Sequence, residues 1–202
     1  MSVAAAVLAA GLGSRLESDE PKPLVLLGGR PLVAWALDAV MATDLRPALL
    51  VVGWRGRGVE ATAPPGVAVI HARGWKHGIA RSLRAALDAV DGYAQVSALC
   101  VGLADQPLVG AEAYRRLAAA HADGAELAVA TYDGQRRNPV LLGRSMWPAA
   151  RELEGDTGAR ALLADPPGGV AVVDVDCTGT GDPADVDTLD DLHAMEAEIE
   201  KR

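Results

Sequence analysis

Short, wholly apolar runs alternate along this chain with longer stretches in which apolar residues recur every three or four positions. The runs at 3–8, 48–52, 67–71, 96–103, 126–131, 139–142 and 169–175 have strand length. The periodic stretches at 31–42, 56–62, 79–90, 110–122, 145–153, 157–164 and 187–200 predict helices. Strands that are apolar on both faces and separated by helices belong to a mostly parallel sheet covered on both sides, so the expected fold class is α/β. Nothing in the composition breaks the chain, and no segment repeats, so one domain over residues 1–202 is expected. The Pro/Gly-rich pieces at 63–66 and 165–169 read as loops, and Glu196, Glu198 and Glu200 as the solvated face of the last helix.

Composition and short local patterns change this picture in several ways. Half of the 202 residues are hydrophobic, enough for a substantial core, yet there is no Phe, so the core must be Ala, Val and Leu with four Trp as its large pieces. A net charge of −8 argues against a nucleic-acid or anionic-membrane partner, either of which needs a basic face. The apolar run at 3–8 is short and lacks a basic flank, so it does not read as a signal peptide. No run approaches the ~20 residues of a membrane span, and a cytoplasmic protein is expected. Cys100, in an apolar strand, and Cys177, in a polar loop, read as unpaired thiols, and no His/Cys spacing suggests zinc.

The chemistry begins where the first strand ends. Leu8-Ala9-Ala10-Gly11-Leu12-Gly13-Ser14-Arg15-Leu16 is a glycine-rich loop closed by an arginine, and Lys22 follows within Pro21-Lys22-Pro23. Gly11 and Gly13 allow a sharp turn and a close backbone approach, so successive N–H groups can form a concave anion site. Arg15 and Lys22 add full positive charge, which suits a triphosphate. The loop is not a Walker A sequence. Nor is it a dinucleotide fingerprint, because Leu16 stands where a third glycine belongs. The strand 48–52 also runs into Gly53-Trp54-Arg55 with no carboxylate for a ribose, so a nicotinamide or flavin site is not expected.

Ligands of open α/β sheets sit at the carboxyl ends of strands, here the loops after residues 8, 52, 71 and 103. Asp105 follows the strand 96–103 and is a natural magnesium ligand beside a triphosphate; an Asx-turn before Pro107 is its structural alternative. Asp185 and Asp187 offer a second acidic pair, one of which could complete the metal site, although Asp187 with Asp190 also resembles a helix N-cap. Gly78 and Ser82, opening the helix after 67–71, could contact a flat base, or serve as N-cap and surface residue. The cationic stretches 136–140 and 155–160 could receive a phosphorylated acceptor or remain solvated.

Taken together, LAAGLGSRL with PKPL, then GIARSL, ADQP, NPVLLGR, GDTGAR and DVDTLDDL resemble the MobA-like nucleotidyltransferases, the relatives of molybdenum cofactor guanylyl- and cytidylyltransferases. The resemblance covers nearly the whole chain, in order, and is nearest to the cytidylyltransferase branch. It implies a single Rossmann-like three-layer domain and transfer of a nucleoside monophosphate from an NTP to a phosphorylated small-molecule acceptor, with release of pyrophosphate. It assigns phosphate binding to residues 10–15, extended by Leu8 and Ala9, and base binding to 78–82. It makes Lys22, Arg15 and Asp105 catalytic and places Mg²⁺ on Asp105 with Asp185 or Asp187. The acceptor it implies is molybdopterin, with a molybdoenzyme or cofactor chaperone as a possible contact. Ala10, where guanylyl relatives carry glycine, narrows the pocket floor and favours CTP over GTP. Leu16-Glu17 and Leu189 depart from the Met-Gly and proline common in the family. A sugar-phosphate nucleotidyltransferase and a non-catalytic nucleotide-binding delivery protein are the alternatives.

Overall fold

The computed structural model describes residues 2–11, 20–53 and 56–200. In chain order the strands are β1 (Ser2–Ala9), β2 (Leu26–Leu27), β3 (Arg30–Pro31), β4 (Ala48–Val52), β5 (Val67–His71), β6 (Val96–Leu103), β7 (Leu127–Tyr132), β8 (Gln135–Gly143) and β9 (Val172–Asp176). The helices are α1 (Leu32–Met41), α2 (Gly56–Glu60), α3 (Ile79–Asp91), α4 (Ala111–Ala122), α5 (Trp147–Arg151) and α6 (Leu189–Ile199). Seven strands form one sheet in the order β5-β4-β1-β6-β8-β7-β9. Only β8 runs antiparallel to its neighbours, β6 and β7, so the sheet is mostly parallel as expected.

The apolar runs are explained by the two faces of this sheet. Along β1, Ala5, Val7 and Ala9 enter the core shared with α1 and α4, while Ala4, Ala6 and Leu8 enter the core shared with α3 and α5. Every residue of the strand from Ala4 on is buried, which is why it shows no alternation. A third, smaller core joins the β2–β3 hairpin to α6 through Leu27, Leu32, Leu192 and Met195. Of the tryptophans described, only Trp147 is fully buried; Trp35 and Trp75 are partly exposed, so aliphatic residues carry more of the interior than the sequence suggested. Cys100 and Cys177 are free and buried. Burial raises both thiol pKa values, that of Cys177 to about 11, which disfavours the thiolate.

Three local readings need correction. The stretch 157–164 is a 3₁₀ turn at Ala159–Leu163, and 145–153 is a 3₁₀ turn leading into the five residues of α5. The cap of α6 is Thr188, whose hydroxyl accepts from Asp191 N–H while Asp191 answers the Thr188 N–H; Asp187 is not the cap. Strands β7 and β8 are a tight hairpin through Asp133 (φ 49°) and Gly134 (φ 75°). Among the described residues no helix is long and apolar enough to cross a membrane.

Candidate active site

The chain leaves β1 for β4 and β5 on one side of the sheet and β6 on the other, so the loops after β1 and β6 part at a topological switch point. A cavity of about 370 Å³ opens there, lined by Leu8, Ala10 and Gly11 after β1 and by Leu103 and Asp105 at the end of β6. Its other wall is the turn before α3 and the first turns of that helix, including Gly78 and Ser82. Ser82 is 3% exposed and faces this cavity, so it is not a surface residue. Gly13, Ser14 and Arg15 lie outside the described residues.

Sequence reasoning missed Trp75 and Lys76, which also line the cavity, as does Asp156 from the stretch 155–160. Trp75 and Lys76 stand in the loop after β5, a location already marked by topology, but no motif singled them out. A Cβ at Gly53 would lie 2.8 Å from both Ala10 Cβ and Trp75 Cγ, so a bare residue lets the indole rest against the β1 loop. Gly78 has a more demanding position. Its φ is +100°, and a Cβ there would lie 2.1 Å from the Gly155 carbonyl carbon and oxygen. That close approach, with Ala80 N–H donating to Gly155 O at 3.2 Å, brings Asp156 to the cavity.

The polar centre adjoins this cavity, in a crevice lined by Leu8, Ala9, Gly11, Lys22, Pro23, Ala104 and Asp105. Lys22 Nζ donates to Asp105 Oδ2 at 2.7 Å and to Asp187 Oδ1 at 2.6 Å. The Lys22 side chain is 11% exposed, against 29% for Asp105 and 42% for Asp187. Burial acts against the ammonium, but the two carboxylates outweigh it and hold the Lys22 pKa above the ordinary lysine value. Asp185 is brought close as well; burial, with the negative charges of Asp105 and Asp187, raises its carboxyl pKa.

A bulge and a strap bring these carboxylates together. Between Val129 and Ala130 of β7 the pairing with β8 skips Asn138 and Pro139. The displaced Asn138 donates from Nδ2 to Gln106 Oε1 at 3.1 Å, and Gln106 Nε2 donates to Pro183 O at 3.0 Å. Val186 N–H donates to Asp105 O and Asp182 N–H to Leu108 O, both at 2.9 Å. The segment carrying Asp185 and Asp187 is thus bound along the β6 loop. Of the cationic stretches, Arg136 is engaged by Asp174 and Arg137 by Gln135, and neither lines the cavity; Asp156 does.

The donor set fits a hard divalent cation. Asp105 Oδ1 is buried with no hydrogen-bond partner, an expensive state for a carboxylate oxygen unless a cation completes it. Among the described residues no cluster of three or more His, Cys, Asp or Glu is placed to hold a metal alone. One or two carboxylates are what Mg²⁺ ordinarily takes from a protein when substrate phosphates supply the other oxygens.

Comparison with known proteins agrees with this architecture. The model of the MobA-like NTP transferase domain matches residues 5–171, and the chain belongs to that family. Its class is therefore that of the nucleotidyltransferases. Nicotine blue oxidoreductase of Paenarthrobacter nicotinovorans is 30% identical over 205 residues, covering 96% of each chain. The bifunctional protein GlmU of Psychrobacter sp. is 31% identical over 138 residues, 68% of this chain but only 29% of GlmU. Among solved structures, Rv0371C of Mycobacterium tuberculosis H37Rv in complex with manganese superposes with a TM-score of 0.82 at 25% identity, covering 98% of this chain and 99% of that one. The family match ends before Asp185 and Asp187, whose place beside Lys22 rests on geometry.

Proposed function

We propose that the 202 residues form one cytoplasmic nucleotidyltransferase domain that moves CMP from CTP to a phosphorylated small molecule, molybdopterin by resemblance, and releases pyrophosphate. The observation that carries this reading is Lys22 held between Asp105 and Asp187 beside the cavity at the β1–β6 switch point. An acceptor phosphate oxygen attacks the α-phosphorus in line, so the protein supplies position and charge and no nucleophile. The N–H groups of the 10–15 loop and the Arg15 guanidinium hold the β- and γ-phosphates. Lys22 neutralises the α-phosphoryl oxygens as charge accumulates there. Gly78 and Ser82 border the base, and Ala10 narrows the floor toward a one-ring base. Asp105, with Asp187 or Asp185, would hold Mg²⁺, which when bound supplies charge neutralisation at the polyphosphate. A molybdoenzyme or its chaperone would take the product.

Two relatives define the competing outcomes. The partial likeness to GlmU favours a sugar phosphate as the next acceptor to try. The oxidoreductase name of a full-length relative makes hydride transfer the other, although β4 ends in Val52-Gly53 without a ribose-holding carboxylate. The test is pyrophosphate release with Mg²⁺ or Mn²⁺, each of CTP, GTP, ATP and UTP, and molybdopterin or sugar phosphates as acceptors, beside an assay of NAD(P)H consumption. CTP is expected to give the highest kcat/KM, by roughly tenfold over GTP, the scale of a small change in pocket shape. A preference for GTP overturns the cytidylyl assignment. Dinucleotide turnover without pyrophosphate release overturns nucleotidyl transfer itself.

A further inference from the structure

Lys22 stands where a cation would be expected. Its ammonium lies within hydrogen-bond distance of one oxygen from each of two carboxylates, while the other oxygen of Asp105 is buried and unpartnered. A divalent ion and an ammonium cannot both occupy that short gap without strong like-charge repulsion. Lysine is suited to leaving it, because a compact charge on a flexible four-carbon stem can move several ångströms without disturbing the backbone.

We infer that Lys22 is a placeholder: in the nucleotide-free protein it neutralises Asp105 and Asp187, and an incoming divalent cation displaces it toward the phosphate oxygens it is to serve. This rests on the reading of Asp105 and Asp187 as cation-holding carboxylates. The exchange couples two events. A cation arriving alone must evict Lys22 with nothing to receive the ammonium, so the empty enzyme binds metal weakly. A cation arriving with a nucleotide brings phosphates that complete its coordination and accept the freed ammonium, so each ligand strengthens the other. The clamp also prevents two neighbouring, partly covered carboxylates from facing one another uncompensated in the resting protein.

Metal binding to the nucleotide-free protein tests this without reference to turnover. Free Mn²⁺ is followed by electron paramagnetic resonance during titration of the unmodified protein, Lys22→Met and Lys76→Met. Lys76 is the control because it is a cavity cation whose ammonium lies over Trp75 and not on the carboxylates. Lys22→Met is expected to bind Mn²⁺ roughly tenfold more tightly than the unmodified protein, and Lys76→Met within about twofold, since exposed charges are screened. The chain has three lysines, Lys22, Lys76 and Lys201, so their ¹⁵N-ammonium NMR signals are easily told apart. The Lys22 signal, protected by its two ion pairs, should shift or vanish as diamagnetic Mg²⁺ is added to the unmodified protein, a measurement independent of how the variant folds. Equal Mn²⁺ affinity in the unmodified protein and Lys22→Met overturns the exchange while leaving the metal site standing. So does an equal gain in Lys76→Met, or a Lys22 signal unmoved at Mg²⁺ saturation. Absence of Mn²⁺ binding in all three proteins removes the carboxylate site and the exchange with it.

Discussion

The ion pairs at the centre and toward one edge of this sheet look alike and do different things. Beside β1 and β6, Lys22 sits between Asp105 and Asp187 with most of its side chain covered. On the β8-β7-β9 side, Arg136 grips Asp174 with a two-point contact at 2.6 and 3.1 Å, but the side chains are 42% and 51% exposed. The second pair has water as an alternative partner for both members and ties two strands together at the surface. In the first, Asp187 also meets water, but Lys22 is 11% exposed and has little such alternative, and one oxygen of Asp105 still lacks a partner. An ion pair in water is an ornament of the fold. One whose lysine is kept from water and whose carboxylates are left incomplete is a place prepared for another charge.

The contrast can be broken most forcefully at Asp105. Asp105→Ala should fold normally and lose about 10²–10³-fold in the rate of pyrophosphate release, the usual cost of one electrostatic element at a reacting centre. A folded variant with near-normal turnover would make this pair as incidental as Arg136–Asp174. Lys22→Ala should lower kcat by about 10²-fold while changing nucleotide affinity much less, because its charge matters most where negative charge grows. A collapse of affinity with kcat preserved would make Lys22 a binding residue only.

Gln106→Ala probes the support and not the charges. It strips partners from Asn138 and from the Pro183 carbonyl, so a loss of about 1–3 kcal/mol in unfolding free energy by urea titration is expected. Because the strap carries Asp187, kcat/KM should fall as well. Stability lost with activity intact would show that the strap does not position the carboxylates. Arg136→Ala should have the smallest effect, with kcat/KM unchanged and a melting temperature lowered less than by Gln106→Ala. A comparable loss of activity would mean that the β8-β7-β9 side participates in the site.

Much of the fold was legible because its physics is local. Buried strands such as β1, β4 and β6 must be apolar throughout, and their ends coincide with the ends of apolar runs. The dipeptide Asp133-Gly134 carried a hairpin signal, yet the run 139–142 was read without the polar residues of β8 before it. The strands β2 and β3, two residues each around Gly28 and Gly29, are too short for any period to register. At the site, a loop after a strand can be read from topology, which marked the neighbourhoods of Ala10, Gly78 and Asp105. What could not be read is which distant segment lies against it. The displaced Asn138, the Gln106 bridge and the choice of Asp187 over Asp185 as the partner of Lys22 depend on tertiary geometry. Asp156 belongs with them, because only the contact of Gly78 with Gly155 brings it to the cavity.

The bond from Lys22 to Asp187 spans 165 residues of sequence, and the strap delivering Asp187 is anchored chiefly by a few loop hydrogen bonds and the small core beneath α6. The central strands are anchored by two large cores instead. Opening of α6 and the strap should therefore cost less than global unfolding and occur while the sheet remains intact. In native-state hydrogen exchange the Val186 amide would exchange through this partial opening, and the amides of β1 and β6 only through complete unfolding. The molecule would then spend a small, measurable fraction of its time fully folded at its centre and disassembled at its site.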